Sequence, residues 1–135
     1  MRALKILILE HNPFRLMALH QMLNAVGIYD VLTAPSLASA LRSLKCRGTV
    51  DIAICDPQLK GGDGLALIRH LALEKRARGL IQLGNVAPSL SADLDALCQA
   101  HELVLLGRLQ SPVSAVLMRG LLDRYLQTAR QSASA

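Results

Sequence analysis

Short apolar runs alternate along the chain with longer segments in which apolar residues recur at helical spacing. The runs cover residues 4–9, 31–34, 52–55, 80–83 and 103–106. A strand that is buried on both faces of a sheet reads as a continuous apolar run, because neither face meets water. Five such runs, each followed by a helical segment, therefore predict an α/β fold with a doubly wound parallel sheet.

Capping residues divide the helical segments from the strands. Asn12-Pro13 and Ser111-Pro112 each place a capping side chain before a proline, which suits the first helical position. Ser36, and either Ser89 or Ser91, are the predicted caps of two further helices. We therefore expect the last helix to begin directly after Ser111.

The last predicted helix has two apolar sides. One face carries Val113, Val116, Leu117, Gly120 and Leu121, and the other carries Met118, Leu122 and Tyr125. If the second side is exposed, it is an interaction surface that suits a homodimer. If the helix instead buries a wide stripe, both sides belong to the core. The small polar residues 128–135 predict a flexible tail or the start of a linker after a single domain at 1–127.

The composition narrows the classes of partner. Only 2% of the residues are aromatic, so the stacking platforms typical of single-stranded nucleic-acid binding are missing. The net charge is +5, but the basic residues are scattered, and we expect no direct contact with nucleic acid. The N-terminal apolar run is too short to cross a membrane. Three cysteines without metal-binding spacing favour a cytoplasmic location.

Polar and small residues follow the carboxyl ends of several predicted strands. In sheets of this class, ligands bind beyond those ends, where the strand order reverses. A carboxylate in such a place is costly to bury unless it has a partner, so Asp56 is the most informative residue. The residues expected near the site are Glu10, His11, Asp56, Gly84, Asn85 and Arg108.

One segment carries a family resemblance. The stretch DIAICDPQLKGGDG, which ends at Gly64, resembles the strand, aspartate and Asp-Gly loop of response regulator receiver domains. HNPFRLMALHQML is similar to the first helix of that family, and the resemblance covers about residues 5–126. It implies a flavodoxin-like (βα)5 fold with strand order 2-1-3-4-5. VDIAICD and GGDGLALIRH further resemble receivers that precede cyclic di-GMP phosphodiesterase (EAL) domains.

The resemblance also implies a chemistry for Asp56. In the family this aspartate takes a phosphoryl group from a histidine kinase and becomes an acyl phosphate. Mg²⁺ is the implied cofactor, with Glu10, Asp56 and Gln58 as candidate ligands. A hydroxyl residue after strand four and a lysine after strand five contact the phosphoryl group. An aromatic residue in strand five then changes the surface that an output domain or another signalling protein reads.

The chain departs from the family around Asp56. His11 replaces the second acid after strand one, and imidazole is a poor ligand for a hard cation that prefers oxygen. We therefore expect weak Mg²⁺ binding. Gly84 leaves no hydroxyl for a phosphoryl oxygen unless Asn85 reaches it, and Leu105 takes the place of the switching aromatic residue.

The basic position is altered as well. Arg108 takes the place of the lysine, and Leu109 follows it where the family has a proline, usually after a cis peptide. Arginine keeps the charge but presents a larger planar fork. We therefore predict a direct Asp56–Arg108 ion pair in place of metal binding.

Three interpretations remain open from the sequence. The leading hypothesis is an atypical receiver domain that acts mainly through protein–protein contacts, with weak or absent phosphorylation of Asp56. The alternative is an ordinary phospho-accepting receiver that controls an output domain. A small flavodoxin-like enzyme is the third and least favoured interpretation, because the chain contains neither G-x-G-x-x-G nor a P-loop. We therefore do not expect an enzyme.

Overall fold

Strands and helices alternate throughout the computed structural model, which describes the backbone of residues 3–134 and the side chains of residues 3–129. The strands are β1 (Lys5–Leu9), β2 (Asp30–Ala34), β3 (Val50–Cys55), β4 (Ala77–Leu83) and β5 (Val104–Leu109). The α-helices are α1 (Pro13–Ala25), α2 (Leu37–Arg47), α3 (Asp63–Leu73), α4 (Pro88–Ala100) and α5 (Ala115–Ser134). A short 3₁₀ turn, Lys60–Gly62, leads into α3.

The five strands form one parallel sheet in the order β2-β1-β3-β4-β5. This order confirms the doubly wound, flavodoxin-like arrangement. β3 lies in the centre, and all six of its residues are buried, which accounts for its continuous apolar run. Residues of α2, α3 and α4 form the core on one face of the sheet, and residues of α1 and α5 form the core on the other.

The side of α5 that the sequence suggested as an interaction surface is buried in the structure. Met118, Leu122 and Tyr125 are 0%, 2% and 7% exposed and pack in the core with α1 and the sheet. The predicted interaction surface at these residues is therefore wrong. Val116 and Leu117, on the other predicted apolar face, are 80% and 61% exposed, while Val113 and Leu121 of that face are partly buried against the core. Both stripes have helical spacing, and only the sheet below decides which one it covers.

Several boundaries differ from the sequence prediction, most of all at the helices. α5 begins at Ala115, and the Oγ of Ser114 accepts from the amide of Leu117 at 3.3 Å, so Ser111 is not the cap. The Ser111–Pro112 peptide is cis and lies in the loop before α5. α4 begins at Pro88 without a side-chain cap. Residues 128–134, predicted as a tail, continue the helix.

Candidate functional site at the carboxyl end of the sheet

The carboxylate of Asp56 is held mainly by backbone groups. Asp56 follows the last residue of β3, and its Oδ1 accepts from the amide of Gln58 at 2.8 Å. Its Oδ2 lies over Gly84, where an added Cβ would come within 2.7 Å of that oxygen. Gly84 also has φ +85, a conformation that residues with a Cβ rarely adopt. Gly84 therefore does more than remove a hydroxyl, because its bare backbone makes room for the Asp56 carboxylate.

A second glycine lets α3 approach the Asp56 loop. A Cβ on Gly64 would lie 1.8 Å from the carbonyl oxygen of Asp56, which no side chain can tolerate. Gly64 is buried in the first turn of α3. This close approach is the physical reason for the Asp-Gly pair at the end of the loop.

Glu10 lies beside Asp56 and already has partners of its own. Its side chain is 8% exposed, and Oε2 accepts from the amide of Asn12 at 3.2 Å. Arg15, on the first turn of α1, places Nη1 3.7 Å from Oε1 of Glu10. The guanidinium of Arg15 is thus the basic group that the structure brings to this pocket. It is 63% exposed, so water screens its pairing with Glu10.

His11 is paired across the mouth of the site. Its Nε2 lies 3.0 Å from Oδ2 of Asp63, at the start of α3. The two side chains are 35% and 27% exposed, so the contact is partly solvated. His11 therefore links the loop after β1 to the start of α3, and the Nε2 atom is occupied by this contact.

A cavity of about 500 Å³ opens beside Asp56 and extends between α1 and the loop before α5. Its polar lining residues are Glu10, Arg15, Asp56 and Ser111. The remaining wall is mostly apolar, with Ala18, Leu19, Met22, Leu83, Gly84, Pro112 and Val113. The loop after β5 thus contributes a neutral serine to the cavity, where the sequence predicted a cation.

Arg108 does not meet Asp56. Its Nε donates to Oε1 of Gln82 at 3.0 Å, and its Nη2 donates to the Oγ of Ser91 at 2.7 Å and to Oδ1 of Asp95 at 2.8 Å. Ser91 and Asp95 lie on α4. The predicted Asp56–Arg108 ion pair is therefore wrong, and among the described residues Asp56 has no salt bridge.

A β-bulge in β5 explains the position of Arg108. Leu105 pairs with Leu80, but the next pair along is Gly107 with Ile81, so one residue of β5 is extra. After the bulge, Arg108 pairs with Gln82. A bulge reverses the face on which later side chains lie, because side chains alternate along a strand. Arg108 consequently shares the α4 face with Leu105, three residues before it.

The other predicted site residues are spread along the same edge. Asn85 is exposed, its Oδ1 accepts from Nε2 of Gln110, and neither residue lines the cavity. Leu105 packs against the core on the α4 face. The structure therefore brings Glu10, Asp56 and Gly84 together and places Asn85, Leu105 and Arg108 elsewhere.

The groups around Asp56 fit poorly as a magnesium site. Two carboxylates, Glu10 and Asp56, line the cavity, and each already accepts from a backbone amide. Residues 3–129 contain no group of three or more His, Cys, Asp or Glu side chains arranged to hold a metal ion. Mg²⁺ takes oxygen ligands in octahedral geometry, and His11 offers nitrogen that is already paired. The donor set thus falls short of what the family resemblance implies.

The neighbouring thiol offers no second nucleophile. Burial, together with the nearby negative charge of the Asp56 carboxylate, raises the pKa of the Cys55 thiol to about 12. The thiol is therefore protonated at neutral pH, and the thiolate is the reactive form. Asp56 remains the chemically distinctive group at the end of β3.

Three residues of this edge were missed from the sequence. Arg15 and Ser111 line the cavity, and Asp63 pairs with His11. Asp63 had a weak signal, because an acid before an apolar helical run suits the positive end of a helix dipole. Arg15 had none, since it reaches the cavity through the packing of α1. Ser111 had one in Pro112, because the family has a proline directly after its basic residue.

Most of the chain matches one protein family. Residues 6–96 match the model of the response regulator receiver domain. The chain belongs to this family. Receiver domains act in two-component signalling, and this is the general function of the chain.

Among the described residues, none of the helices combines the length and the apolar character that a membrane span requires.

A curated relative of this receiver domain is a longer protein. It is 35% identical over 125 residues to the cyclic di-GMP phosphodiesterase RocR of Pseudomonas aeruginosa, an alignment that covers 93% of this chain and 32% of RocR. The chain thus spans about a third of the length of that curated relative.

Solved structures agree on the fold. A response regulator from Colwellia psychrerythraea superposes with a TM-score of 0.72 at 18% identity, covering 93% of this chain and 99% of the other. The signal receiver domain of a modulated diguanylate cyclase from Desulfovibrio desulfuricans G20 gives 0.78 at 18% identity, covering 97% and 99%. At such identities these likenesses support the fold alone.

Proposed function

We propose that this receiver domain acts mainly through protein–protein contacts and that phosphorylation of Asp56 is weak or absent. The observation that carries the proposal is the placement of Arg108. Its guanidinium is committed to Gln82 and to two residues of α4, so it is not available to a phosphoryl group on Asp56.

Two further contacts support the proposal. The loop after β5 brings Ser111 to the cavity, and serine carries no charge to offset a phosphoryl dianion. Oδ2 of Asp56 lies so close to Gly84 that a Cβ there would come within 2.7 Å of it. The space beside that oxygen is open only because residue 84 has no Cβ, so no hydroxyl at this position can bind a phosphoryl oxygen.

Arg15 favours the alternative, an ordinary phospho-accepting receiver. It lines the same cavity as Asp56 and is mostly exposed, so its side chain has room to reorient. Arginine binds phosphate well because its planar fork matches two oxygens at once. If Arg15 turned from Glu10 to Asp56, it would supply the charge that Arg108 does not.

Phosphoryl transfer is tested directly. The purified chain is incubated with Mg²⁺ and acetyl phosphate, and intact mass is followed over time for the native protein, Asp56→Asn and Arg15→Ala. A receiver that retains the usual acids and lysine serves as the positive control. We expect little or no adduct on this chain under conditions that fully modify the control. An abundant adduct on the native protein that is absent from Asp56→Asn would refute the proposal. If the adduct is also lost in Arg15→Ala, Arg15 is identified as the phosphoryl-binding cation.

The partners proposed for this domain are a histidine kinase or another signalling protein, and an output domain. The identity with RocR favours a cyclic di-GMP phosphodiesterase as the output class. A chimera in which residues 6–126 replace the aligned segment of RocR tests this. We expect this chimera to show regulated phosphodiesterase activity. A chimera that carries the Colwellia psychrerythraea response regulator in the same place is the control, and we expect its activity to be unregulated. Equal behaviour of the two chimeras would remove this support.

A further inference from the structure

Arg108 connects three elements through one side chain. It extends from β5, donates to Gln82 on the neighbouring strand β4, and donates to Ser91 and Asp95 on α4. Ser91 and Asp95 lie four residues apart, so both are on the same face of the helix. The guanidinium therefore bridges the sheet and the first half of α4.

The buried end of this cluster distinguishes it from an ordinary surface ion pair. The side chains of Arg108 and Asp95 are 40% and 52% exposed, and such a pair alone contributes little. Gln82, however, is 0% exposed, and its Oε1 accepts from Arg108 Nε while its Nε2 has no partner among the described residues. Because the amide is enclosed by protein, Arg108 is the polar group that satisfies its oxygen.

Other attachments of α4 are few. Its fully buried residues are Leu94 and Cys98, Leu90 and Leu97 are only partly buried against the core, and no side chain caps its first turn. For comparison, α3 buries five residues: Gly64, Leu67, Ile68, Leu71 and Ala72. Apolar burial is the main term that holds a helix on a sheet, so a helix with little of it depends more on its polar contacts.

We propose that Arg108 is the positioning residue that holds α4 on the sheet, so that the face formed by α4 and β5 is set by this cluster and not by the state of Asp56. The inference rests partly on the proposed function, because an ordinary receiver would alter this face when Asp56 is phosphorylated. It adds a specific device, made of Arg108, Gln82, Ser91 and Asp95. The partner that docks on this face would then find it already formed.

The three cysteines allow a test within one molecule. Cys98 is buried on α4, Cys55 is buried on the central strand β3, and Cys46 is exposed on α2. Alkylation by N-ethylmaleimide, read by peptide mass spectrometry, reports each thiol separately. Local release of α4 exposes Cys98 alone, whereas global unfolding exposes Cys98 and Cys55 together. Cys46 confirms that the reagent is active.

The variants are Arg108→Ala, Asp95→Asn and a matched control, Arg119→Ala, whose arginine is exposed on α5. We expect Arg108→Ala to raise the labelling rate of Cys98 about tenfold or more and to leave that of Cys55 unchanged. Asp95→Asn keeps the contact to Gln82, so a rise of about threefold is expected, and part of it comes from the lost Asp95 charge, which raises the pKa of the Cys98 thiol in the native protein. Arg119→Ala should match the native protein.

In Arg108→Ala, the loss of the positive charge would by itself slow the labelling of Cys98, which is opposite to the expected result. Burial raises the pKa of the Cys98 thiol, Asp95 raises it further, and Arg108 lowers it. Loss of the Arg108 charge would by itself reduce the thiolate fraction and slow alkylation. A faster reaction at Cys98 therefore reports exposure of the helix and not a change in thiol acidity.

Several results would overturn the inference. These are an unchanged Cys98 rate in Arg108→Ala, a matching rise at Cys55, or an equal rise in Arg119→Ala. So would a change in the Cys98 rate of the native protein when acetyl phosphate is added, because α4 would then follow Asp56. All variant rates are measured without a phosphoryl donor. An adduct at Asp56 with an unaffected Cys98 rate would thus count against the proposed function and leave the Arg108 assignment standing.

Discussion

Asp56 and Arg108 lie at the same end of one sheet, yet the protein holds them by different means. Asp56 is held by main chain, with the amide of Gln58 on one oxygen and the backbone of Gly84 beside the other. Arg108 is held by three side chains on β4 and α4. The contrast shows that the charged contact expected at Asp56 has been made at α4 instead. Close packing shapes the first region, and hydrogen bonding shapes the second.

The largest effect is expected where packing is tightest. Gly64→Ala would place a Cβ 1.8 Å from the carbonyl oxygen of Asp56, so α3 must move away from the loop. We expect a loss of about 3 kcal/mol or more in the free energy of unfolding, measured by urea denaturation. Gly120→Ala on α5 is the matched control, because a Cβ there meets nothing within 4 Å. Alanine favours helix over glycine, so the control should gain about 0.8 kcal/mol. Similar changes in both variants would contradict the packing argument.

An intermediate effect is expected at Gly84. Gly84→Ala adds a strained φ and a contact with Oδ2 of Asp56, and should cost about 2–3 kcal/mol in unfolding free energy. Gly27→Ala separates the two causes, since Gly27 also has positive φ but has open space around it. That control should cost about 1–2 kcal/mol. If Gly84→Ala costs no more than Gly27→Ala, the carboxylate of Asp56 moves freely and is not confined by the backbone.

The smallest effect belongs to the Arg108 region. Arg108→Leu leaves the buried oxygen of Gln82 without a donor, which should cost about 1–2 kcal/mol in unfolding free energy. In the double variant Gln82→Leu/Arg108→Leu no buried oxygen is left unpaired. The losses in unfolding free energy of Arg108→Leu and Gln82→Leu should therefore sum to about 1 kcal/mol more than the loss in the double variant. Simple additivity in chemical denaturation would show that the two side chains are not coupled.

The sequence pattern was reliable for the elements that bury long apolar runs. The strand order that the family resemblance implied was confirmed, as was the position of Asp56 after the central strand. The prediction failed on α5, where Met118 and Leu117 belong to two stripes of similar apolarity. Periodicity identifies a stripe, but the neighbour that covers it lies elsewhere in the chain. The same limit hid Arg15, whose approach to the Asp56 cavity depends on how α1 packs.

The sequence by itself determined the alternation of strands and helices, the parallel sheet and the aspartate at its carboxyl edge. Those features follow from local propensity and from apolar periodicity, which each segment carries within itself. Only the tertiary structure decided which groups accompany Asp56 and which accompany Arg108. One extra residue in β5 turns Arg108 toward α4, and the loop after β5 then brings Ser111 to the Asp56 cavity. A bulge depends on the pairing of two strands, so the sequence of one strand does not reveal it.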